Sequence, residues 1–419
     1  MNVAMPRTAP LTRNVNADVC VIGAGIAGIT TAYMLAREGK SVVVLDDSAI
    51  GAGETGRTTA HLSNAIDDRI YAIEERHGET TARLVVESHL AAINRIEEIV
   101  RLEHIACQFE RLDGYLFVPP DGDQSVLDRE LAAAKRAGLS DTTFASRAPI
   151  KGIDTGRCLR FPNQGALHPL KYVNALARAF IECGGRIHVG ARVLEQFDEG
   201  PPLRVHTSAG HTVRADAVVV ATNTPVLDPS QVARRQVSMC TYAIAASVPH
   251  DSIPRALYWD TADPYHYVRL HSEIPSASDC LIVGGEDRPS EPEPNAEERF
   301  DALESWMREY FPMAGHVKRT WSGCVMEPVD GLALIGRYGK GENRFCVTGD
   351  SGQGMTHGTI AGILLTDLIM DRANPWQEIY APLPVPAKDA PPRRVPMFPA
   401  HQSAVGRVAS TRAPTRPMD

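Results

Sequence analysis

The sequence predicts an α/β fold built around a Rossmann-like unit, and two observations lead to this prediction. Residues 18–47 run through an apolar strand, a glycine-rich turn, a helix, a second apolar strand and a pair of acids. Such unbroken apolar strands around a helix are typical of a βαβ unit in a buried parallel sheet. Residues 238–284 instead contain stretches in which residue character alternates with a period of two, as in 265–269. This period is typical of strands in a second, different part of the molecule.

Length, charge and cysteine spacing narrow the class of protein. The 419 residues correspond to two or three domains at about 150 residues per domain. The formal net charge of −8 argues against general binding to nucleic acid or to an anionic membrane. No apolar run approaches the ~18 residues that span a bilayer, and residues 1–16 lack the apolar segment of a secretory signal. The eight cysteines form no CxxC pair. We therefore expect a cytoplasmic protein with reduced thiols, no metal site and no membrane segment.

The glycine-rich turn after the first strand has the spacing of a dinucleotide site. Gly23 allows the sharp turn, Gly25 allows a pyrophosphate to approach the backbone, and Gly28 allows the helix to pack on the strand. The helix N-terminus offers free N–H groups to phosphate oxygens. Asp46, followed by Asp47, ends the second strand, where an acid accepts a hydrogen bond from a ribose hydroxyl. A purely structural glycine turn is the alternative.

Two later segments favour FAD over NAD as the dinucleotide. One is the apolar strand 217–221, followed by Thr222 and Asn223, which can join the same sheet. The other is the strand 344–348, which leads through a second glycine-rich turn, 349–354, into a helix. A helix N-terminus suits the edge of a reduced flavin where negative charge collects. An ordinary turn with glycine caps is the alternative interpretation.

The chain resembles the D-amino-acid oxidase/glycine oxidase type of FAD-dependent oxidoreductases over about residues 15–380. The motifs that carry the resemblance are residues 21–28, 51–62, 321–323 with 327–336, and 349–358. The subgroup it resembles most is often fused to a C-terminal Rieske domain. Such a domain needs cysteine ligands, and none follows Cys346, so we expect it to be absent. Electrons would then pass to oxygen, a quinone or a separate protein.

The resemblance implies a discontinuous FAD domain and a substrate domain. The expected FAD domain comprises residues 15–80, 155–225 and 320–380. The expected α+β substrate domain comprises 81–154 and 226–319, with a six-stranded, mostly antiparallel sheet over the flavin. The FAD-binding positions of the family, with FAD held non-covalently, carry over to Gly23, Gly25, Ile26, Ala27, Gly28, Asp46, Asp47, Arg57, Thr58, Thr59, Ala60, His61, Leu62, Val193, Ala221, Thr222, Asn223, Gly349, Asp350, Gly352, Gln353, Gly354, Met355 and Thr356.

Residues 381–419 differ in composition from the rest, with nine prolines and an excess of basic over acidic residues. This composition predicts an extended or disordered tail. A solvated tail is one interpretation. The other is an arm that lies across a partner subunit, in which case the protein is a homo-oligomer.

Four residues are candidates for contact with the flavin or the substrate, and three of them are predicted to be catalytic. Tyr265, Tyr267 and Arg269 alternate, so one strand face would present all three. Arg269 is suited to pair with a substrate carboxylate, and the alternative is a structural ion pair. His61 lies in the segment that resembles the flavin-edge loop, and the alternative is a buried, hydrogen-bonded histidine. We take Tyr267, Arg269 and His61 as the predicted catalytic residues.

The predicted function is oxidation of the C–N bond of an amine or amino acid, with hydride transfer to flavin N5. A flavin monooxygenase that consumes NAD(P)H is one alternative, because Gly349–Asp350 also resembles a motif of those enzymes. A flavoprotein that serves as an electron-transfer subunit of a hetero-complex is another. The expected partners are a small-molecule substrate and a separate electron acceptor.

Overall fold

A computed structural model describes residues 3–197, 202–224, 232–272, 278–291, 295–338 and 343–382. The predicted tail lies outside these residues, apart from its first two positions. The helices of the described part are α1 (Ile26–Arg37), α2 (Ile70–His77), α3 (Glu79–Leu102), α4 (Ser125–Arg136), α5 (Pro169–Glu182), α6 (Ala296–Tyr310) and α7 (Gly354–Ile369).

The strands form two sheets of different kinds. The first, mainly parallel, contains β1 (Val15–Ile22), β2 (Val42–Leu45), β7 (Arg186–His188), β8 (Val193–Phe197), β9 (Leu203–Thr207), β10 (Thr212–Val220), β16 (Leu334–Arg337) and β17 (Arg344–Thr348). The second, mainly antiparallel, contains β3 (His61–Leu62), β4 (Glu110–Phe117), β5 (Thr143–Ala145), β6 (Cys158–Ala166), β11 (Gln236–Pro249), β12 (Leu257–Asp260), β13 (His266–His271), β14 (Ser278–Pro289) and β15 (Val317–Pro328).

The first sheet has the Rossmann-like arrangement that the sequence predicts. Its order is β16–β17–β10–β1–β2–β7, and β1 pairs in parallel with both β2 and β10. Residues 19–22, the second half of β1, and all of β2 are buried because helices and neighbouring strands cover both faces. The carboxyl ends of β1, β2, β10 and β17 therefore meet at one edge, where ligands bind in this class of fold.

The second sheet runs in the order β15–β11–β14–β13–β12–β4–β6–β3, and β5 pairs with β6. All of its pairs are antiparallel except that of β12 with β4. It has nine strands rather than the six expected from the resemblance. The parallel β12–β4 pair joins the strands of residues 236–289 to those of residues 110–166, and so extends the sheet.

The expected domain boundaries differ from the strand pairing at three places. They put β6, residues 320–328 of β15 and the short strand β3 in the FAD domain, but all three belong to the second sheet. The described strands cross between the sheets four times, as the boundaries imply, but at different positions. Local composition does not reveal where the crossings fall, because the pairing partners of a strand decide which sheet it joins.

Two helices place the glycine-rich turns at the same edge of the first sheet. α1 packs on α7, and glycines make this contact close. A side chain at Gly358 of α7 would come within 3.0 Å of the Ala27 backbone nitrogen in α1. The starts of both helices therefore lie side by side. Among the described residues, no helix is long and apolar enough to span a bilayer.

Candidate active site

A cavity of about 890 Å³ lies between the carboxyl edge of the first sheet and one face of the second. The first sheet contributes the ends of β1, β2 and β10, at Ile22, Leu45 and Ala221. The second sheet contributes aromatic and acidic residues of β12–β14, including Trp259 and Asp287. This volume lies within the range typical of cofactor and small-molecule sites.

The first glycine-rich turn borders one end of the cavity and is close-packed. Gly23 has a φ of +109°, and a Cβ atom there would lie 2.3 Å from the Ala221 carbonyl oxygen. A Cβ atom at Gly28 would lie 1.9 Å from the Gly23 carbonyl oxygen. Gly25 and the first turn of α1 line the cavity. The turn thus has the close approach to strand and helix that the spacing predicts.

Asp46 lies beside this turn with its carboxylate already oriented. Its Oδ2 accepts a hydrogen bond from the Ala24 N–H at 2.6 Å, and its Oδ1 accepts one from the Ser48 N–H at 2.8 Å. Asp46 and Asp47 both line the cavity. A carboxylate fixed in this way can accept a ribose hydroxyl without losing side-chain entropy.

We expect Asp46→Ala to weaken FAD retention roughly tenfold or more, because a hydrogen bond to a charged group is lost and the turn loses its anchor. The measurement is the dissociation constant of FAD, by flavin fluorescence after dialysis. Asp18→Ala is the matched control. Asp18 makes the same kind of bonds, to the Ser41 N–H and hydroxyl, in the stretch that precedes β2 rather than at its end. Equal retention in both variants would remove Asp46 from the site.

The loop 51–59 forms a second wall and is held from both sides. The Thr55 hydroxyl accepts a hydrogen bond from the Ile26 N–H at 3.0 Å, at the start of α1. The Glu54 Oε2 atom accepts one from the Cys324 N–H of β15 at 2.8 Å. Glu54, Thr55 and Cys324 line the cavity but were not among the predicted FAD-binding residues. Their hydrogen bonds could not be predicted from the sequence, because each bond joins residues far apart in the chain.

The second glycine-rich turn, before α7, closes the cavity opposite the loop. Asp350 lines it, and the Asp350 Oδ1 atom is buried without a hydrogen-bond partner among the described residues. Burial, with the nearby charge of Glu54, raises the pKa of Asp350 to about 6. An unsatisfied buried oxygen costs free energy unless a ligand hydroxyl or N–H pairs with it.

The glycine cradle, the oriented Asp46 and the unpaired Asp350 oxygen fit FAD. Its phosphates match the N-terminus of α1, and its sugar hydroxyls match the two carboxylates. Most of the predicted FAD-binding residues line the cavity, namely Gly23, Gly25, Ile26, Ala27, Asp46, Asp47, Arg57, Thr58, Thr59, His61, Val193, Ala221, Thr222, Asn223, Asp350, Gly352, Gln353, Gly354 and Met355. Their individual contacts with FAD stay predictions.

Five of the predicted residues lie behind the cavity wall rather than in it. Gly28 packs on the first turn, Gly349 packs on Pro328, and the Thr356 hydroxyl donates to the Gln353 carbonyl at 2.9 Å. Ala60 and Leu62 are fully buried. The structure therefore gives these five a supporting position, because their side chains, or the glycine Cα atoms, meet protein atoms instead of open space.

Arg269 does not reach the cavity, which corrects its predicted pairing with a substrate carboxylate. It is 4% exposed, and its Nη1 donates to the carbonyls of Thr59 at 2.7 Å, Ala60 at 3.0 Å and Leu167 at 3.0 Å. Burial lowers its pKa to about 10, so it stays charged at neutral pH. Arg269 thus fastens the loop before β3 to the second sheet, and the alternation with Tyr267 does not bring both to the ligand.

Tyr267 and His61 do line the cavity together. Their rings meet edge to face, with centroids 5.2 Å apart, and the Tyr265 ring is 5.8 Å from that of Tyr267. Burial, reinforced by the Arg269 charge, lowers the pKa of His61 to about 3. His61 is therefore neutral at physiological pH, and its Nε2 atom is buried without a partner among the described residues. Both residues keep their predicted catalytic roles as predictions.

Two carboxylates beside this aromatic wall were not predicted. Asp67 and Asp287 line the cavity, and burial raises the pKa of Asp67 to about 7 and that of Asp287 to about 6. Asp67 is in addition held by the Gln353 Nε2 atom, which donates to its Oδ1 at 3.0 Å. Nothing in their local sequence marks them. They come from a loop after β3 and from β14, which only the folded chain brings together.

Comparison with known proteins gives a family match over most of the chain. The DAO family, described as FAD dependent oxidoreductase, matches residues 18–368. Among curated proteins, gamma-glutamylputrescine oxidoreductase of Escherichia coli (strain K12) is 28% identical, covering 89% of this chain and 88% of its own. A Bacillus subtilis (strain 168) protein named for a Rieske 2Fe-2S centre, YhfW, is 27% identical over 90% of this chain and 73% of its own.

Solved structures show the same fold at low sequence identity. L-proline dehydrogenase of P. horikoshii superposes with a TM-score of 0.72 at 18% identity, covering 88% of this chain and 97% of its own. Glycine oxidase of Geobacillus kaustophilus also superposes with a TM-score of 0.72, at 15% identity, covering 88% of this chain and 99% of its own. These structures confirm the predicted fold class, and the family match over residues 18–368 confirms FAD as the cofactor and an enzymatic role.

Proposed function

Because this chain belongs to the DAO family of FAD-dependent oxidoreductases, we propose that it oxidises the C–N bond of an amine or amino acid. In this reaction the substrate carbon loses a hydride, the nitrogen loses a proton, and an imine forms that water hydrolyses. The observation that carries the proposal is the continuity of the cavity. It runs from the dinucleotide turn at Gly25 to the aromatic wall of Tyr265, Tyr267 and Trp259.

When bound, FAD supplies the two-electron acceptor, with N5 as the hydride-accepting atom. The chain's own residues orient the substrate and exclude water. The tyrosine rings and Trp259 form an apolar wall, and burial raises the pKa of Tyr267 well above its usual value, so it remains a neutral donor. His61, whose ring meets that of Tyr267 edge to face, is neutral and adds no charge to this wall. Burial against these rings favours the neutral form of the reacting nitrogen, which is the form that loses hydride.

The names of the relatives support this class of reaction. The Escherichia coli protein is named for an amine substrate, gamma-glutamylputrescine. The Geobacillus kaustophilus protein, and a second Bacillus subtilis protein that is 24% identical over 85% of this chain, are named glycine oxidases. These substrates differ in whether a carboxylate lies beside the reacting nitrogen. The family match therefore supports amine or amino-acid oxidation but leaves the substrate to be tested.

The test is an anaerobic visible spectrum of the purified protein, mixed with amines, amino acids or NAD(P)H. We expect a flavin spectrum that bleaches with one or more of the amines or amino acids. Readmitting air then separates direct oxidation by oxygen from transfer to another acceptor. Bleaching by NAD(P)H alone would overturn the proposal in favour of a monooxygenase or an electron-transfer subunit. A protein that neither contains FAD nor binds added FAD would overturn the cofactor assignment.

A further inference from the structure

The substrate end of the cavity is acidic. The carboxylates that line the whole cavity are Asp46, Asp47, Glu54, Asp67, Asp287 and Asp350, whereas the guanidinium groups that line it are Arg57 and Arg192. Asp46 and Asp47 lie at the dinucleotide end. Asp67 and Asp287 instead lie beside the tyrosines. A Cβ atom placed on Gly352 would be 3.4 Å from Asp67 Oδ2 and 3.7 Å from the Tyr265 hydroxyl.

The arginines of the lining do not lie on the aromatic wall. Arg57 is paired with Glu54 at 3.3 Å, and its side chain is 53% exposed. Arg192 is exposed and adjoins Val193 at the start of β8, a strand of the first sheet. Arg269, the predicted carboxylate ligand, does not line the cavity, and its Nη1 donates to three backbone carbonyls. Among the lining residues described, the arginines therefore belong to the loop 51–59 and to the first sheet, and the aromatic wall itself carries none.

Neither of the two carboxylates forms a direct ion pair with a described residue, although the charges of Arg69 and Arg288 act on them. Arg69 acts on Asp67, but its guanidinium donates to the backbone carbonyls of Asp67 and Asp260. Arg288 likewise donates to the backbone carbonyl of Asp287. A buried carboxylate is costly unless a positive charge pairs with it, and the raised pKa values of both groups reflect this cost.

One atom in this part of the cavity points independently to a ligand. The Asp287 Oδ1 atom is buried and accepts no hydrogen bond of normal geometry from a described residue, although the nearby Thr241 hydroxyl helps to lower the pKa of Asp287. Tyr265 and Tyr267 lie close enough for the Asp287 charge to act on them, and both line the cavity together with Trp259. Carboxylate oxygens combined with aromatic faces form the environment that recognises an ammonium group.

From this arrangement we infer that the substrate is an aliphatic diamine or polyamine, whose non-reacting ammonium group binds Asp67 and Asp287 beside the tyrosine wall. The inference rests on the proposed amine oxidation and names its substrate class. An amino acid fits less well, because its carboxylate would face two carboxylates with no cation to receive it. A monoamine would bind without this ion pair and would therefore react with lower efficiency.

The experiment compares three substrates with the same four-carbon chain on the FAD-loaded protein. These are 1,4-diaminobutane, n-butylamine and 4-aminobutanoate, and the measured quantity is the second-order rate constant of anaerobic flavin bleaching. For the wild type we expect the diamine to exceed n-butylamine by about tenfold or more, the scale of a hydrogen bond to a charged group. We expect 4-aminobutanoate to be the slowest. A wild type that prefers 4-aminobutanoate would overturn the inference.

Two variants test the residues. Asp67→Asn and Asp287→Asn should each lower the ratio of the diamine rate to the n-butylamine rate towards one, and should raise the relative rate of 4-aminobutanoate. A ratio between substrates is insensitive to partial loss of folded or loaded protein. The matched control is Asp121→Asn, the same change at an exposed position, which should leave the ratio unchanged. A diamine preference retained in both cavity variants would also overturn the inference.

Failure of the inference differs from failure of the proposed function. Bleaching by monocarboxylic amino acids, without bleaching by diamines, would overturn the inference and leave C–N oxidation standing. FAD that stays oxidised with every amine and amino acid would overturn both. Thermal denaturation gives a second readout. The diamine should raise the Tm of the wild-type holoenzyme more than that of Asp67→Asn, and equal shifts would count against the inference.

Discussion

Replacing Arg269 by methionine is expected to lower the free energy of unfolding by about 3–5 kcal/mol, the cost of breaking a buried charged network. Methionine has similar length but no donor, so the carbonyls of Thr59, Ala60 and Leu167 would lose the bond that each accepts from Nη1. Since Thr59 lines the cavity, FAD retention should fall as well. The measurements are chemical denaturation and the dissociation constant of FAD.

The conservative variant separates this positioning role from a role in substrate binding. A lysine ammonium is a single nitrogen with three donors, so Arg269→Lys should recover part of the stability lost in Arg269→Met. In the variants that still hold FAD, we expect the KM of each substrate to stay close to its wild-type value, whereas the Tm should fall. A large rise in KM for a carboxylate substrate, with unchanged stability, would restore Arg269 to the substrate site.

The case of Arg269 shows where inference from the sequence stops. Alternation along a strand correctly puts Tyr267 and Arg269 on the same face of β13. It does not say how far the ligand extends along that face. Along this face the cavity ends at Tyr267. The loop before β3 covers the same face at Arg269, two residues further on. The hydrogen bonds support a structural role for Arg269, but with backbone carbonyls as partners rather than the ion pair that the sequence left open.

The dinucleotide end could be predicted because its signals are local. The strand, the turn with Gly23, Gly25 and Gly28, the helix and Asp46 all lie within one βαβ unit, and each has its own backbone requirement. The acidic part of the cavity has no such signal. Asp67 and Asp287 are 220 positions apart in the chain, and each is an ordinary polar residue in its own segment. The two carboxylates come together only in the folded protein, where both line the cavity between the two sheets.

The prediction of the domain boundaries was limited for the same reason, since pairing between distant strands leaves no local signal. The local sequences of β6 and β15 do not indicate which sheet they join, and only their strand partners decide this. Hydrogen bonds from β6 to β4, and from β15 to β11, place both in the second sheet. Because β15 also donates its Cys324 N–H to Glu54, the second sheet and the FAD loop form one wall of the cavity. A change at this contact should therefore affect cofactor and substrate binding together.

Gly28→Ala is expected to abolish FAD retention and to destabilise the fold by about 1–3 kcal/mol, the usual range for overpacking a core. The added Cβ atom would lie 1.9 Å from the Gly23 carbonyl oxygen and 3.3 Å from Val21 Cγ1. The Gly23 oxygen is a backbone atom of the turn and cannot rotate away as a side chain could. α1 must shift, and its N-terminus then leaves the cavity edge.

Gly362→Ala is the matched control for this prediction, since it adds the same methyl group to the α1–α7 contact. There the nearest atoms belong to side chains, Thr30 Cγ2 at 2.7 Å and Met34 Sδ at 3.1 Å, which can move. Alanine is also favoured over glycine inside a helix by about 1 kcal/mol, which offsets part of the crowding. Bound flavin after gel filtration should therefore remain in Gly362→Ala and be lost in Gly28→Ala. Equal flavin content in the two variants would mean that the turn can accept a side chain, and the close approach of α1 to β1 would then not be what holds the cofactor.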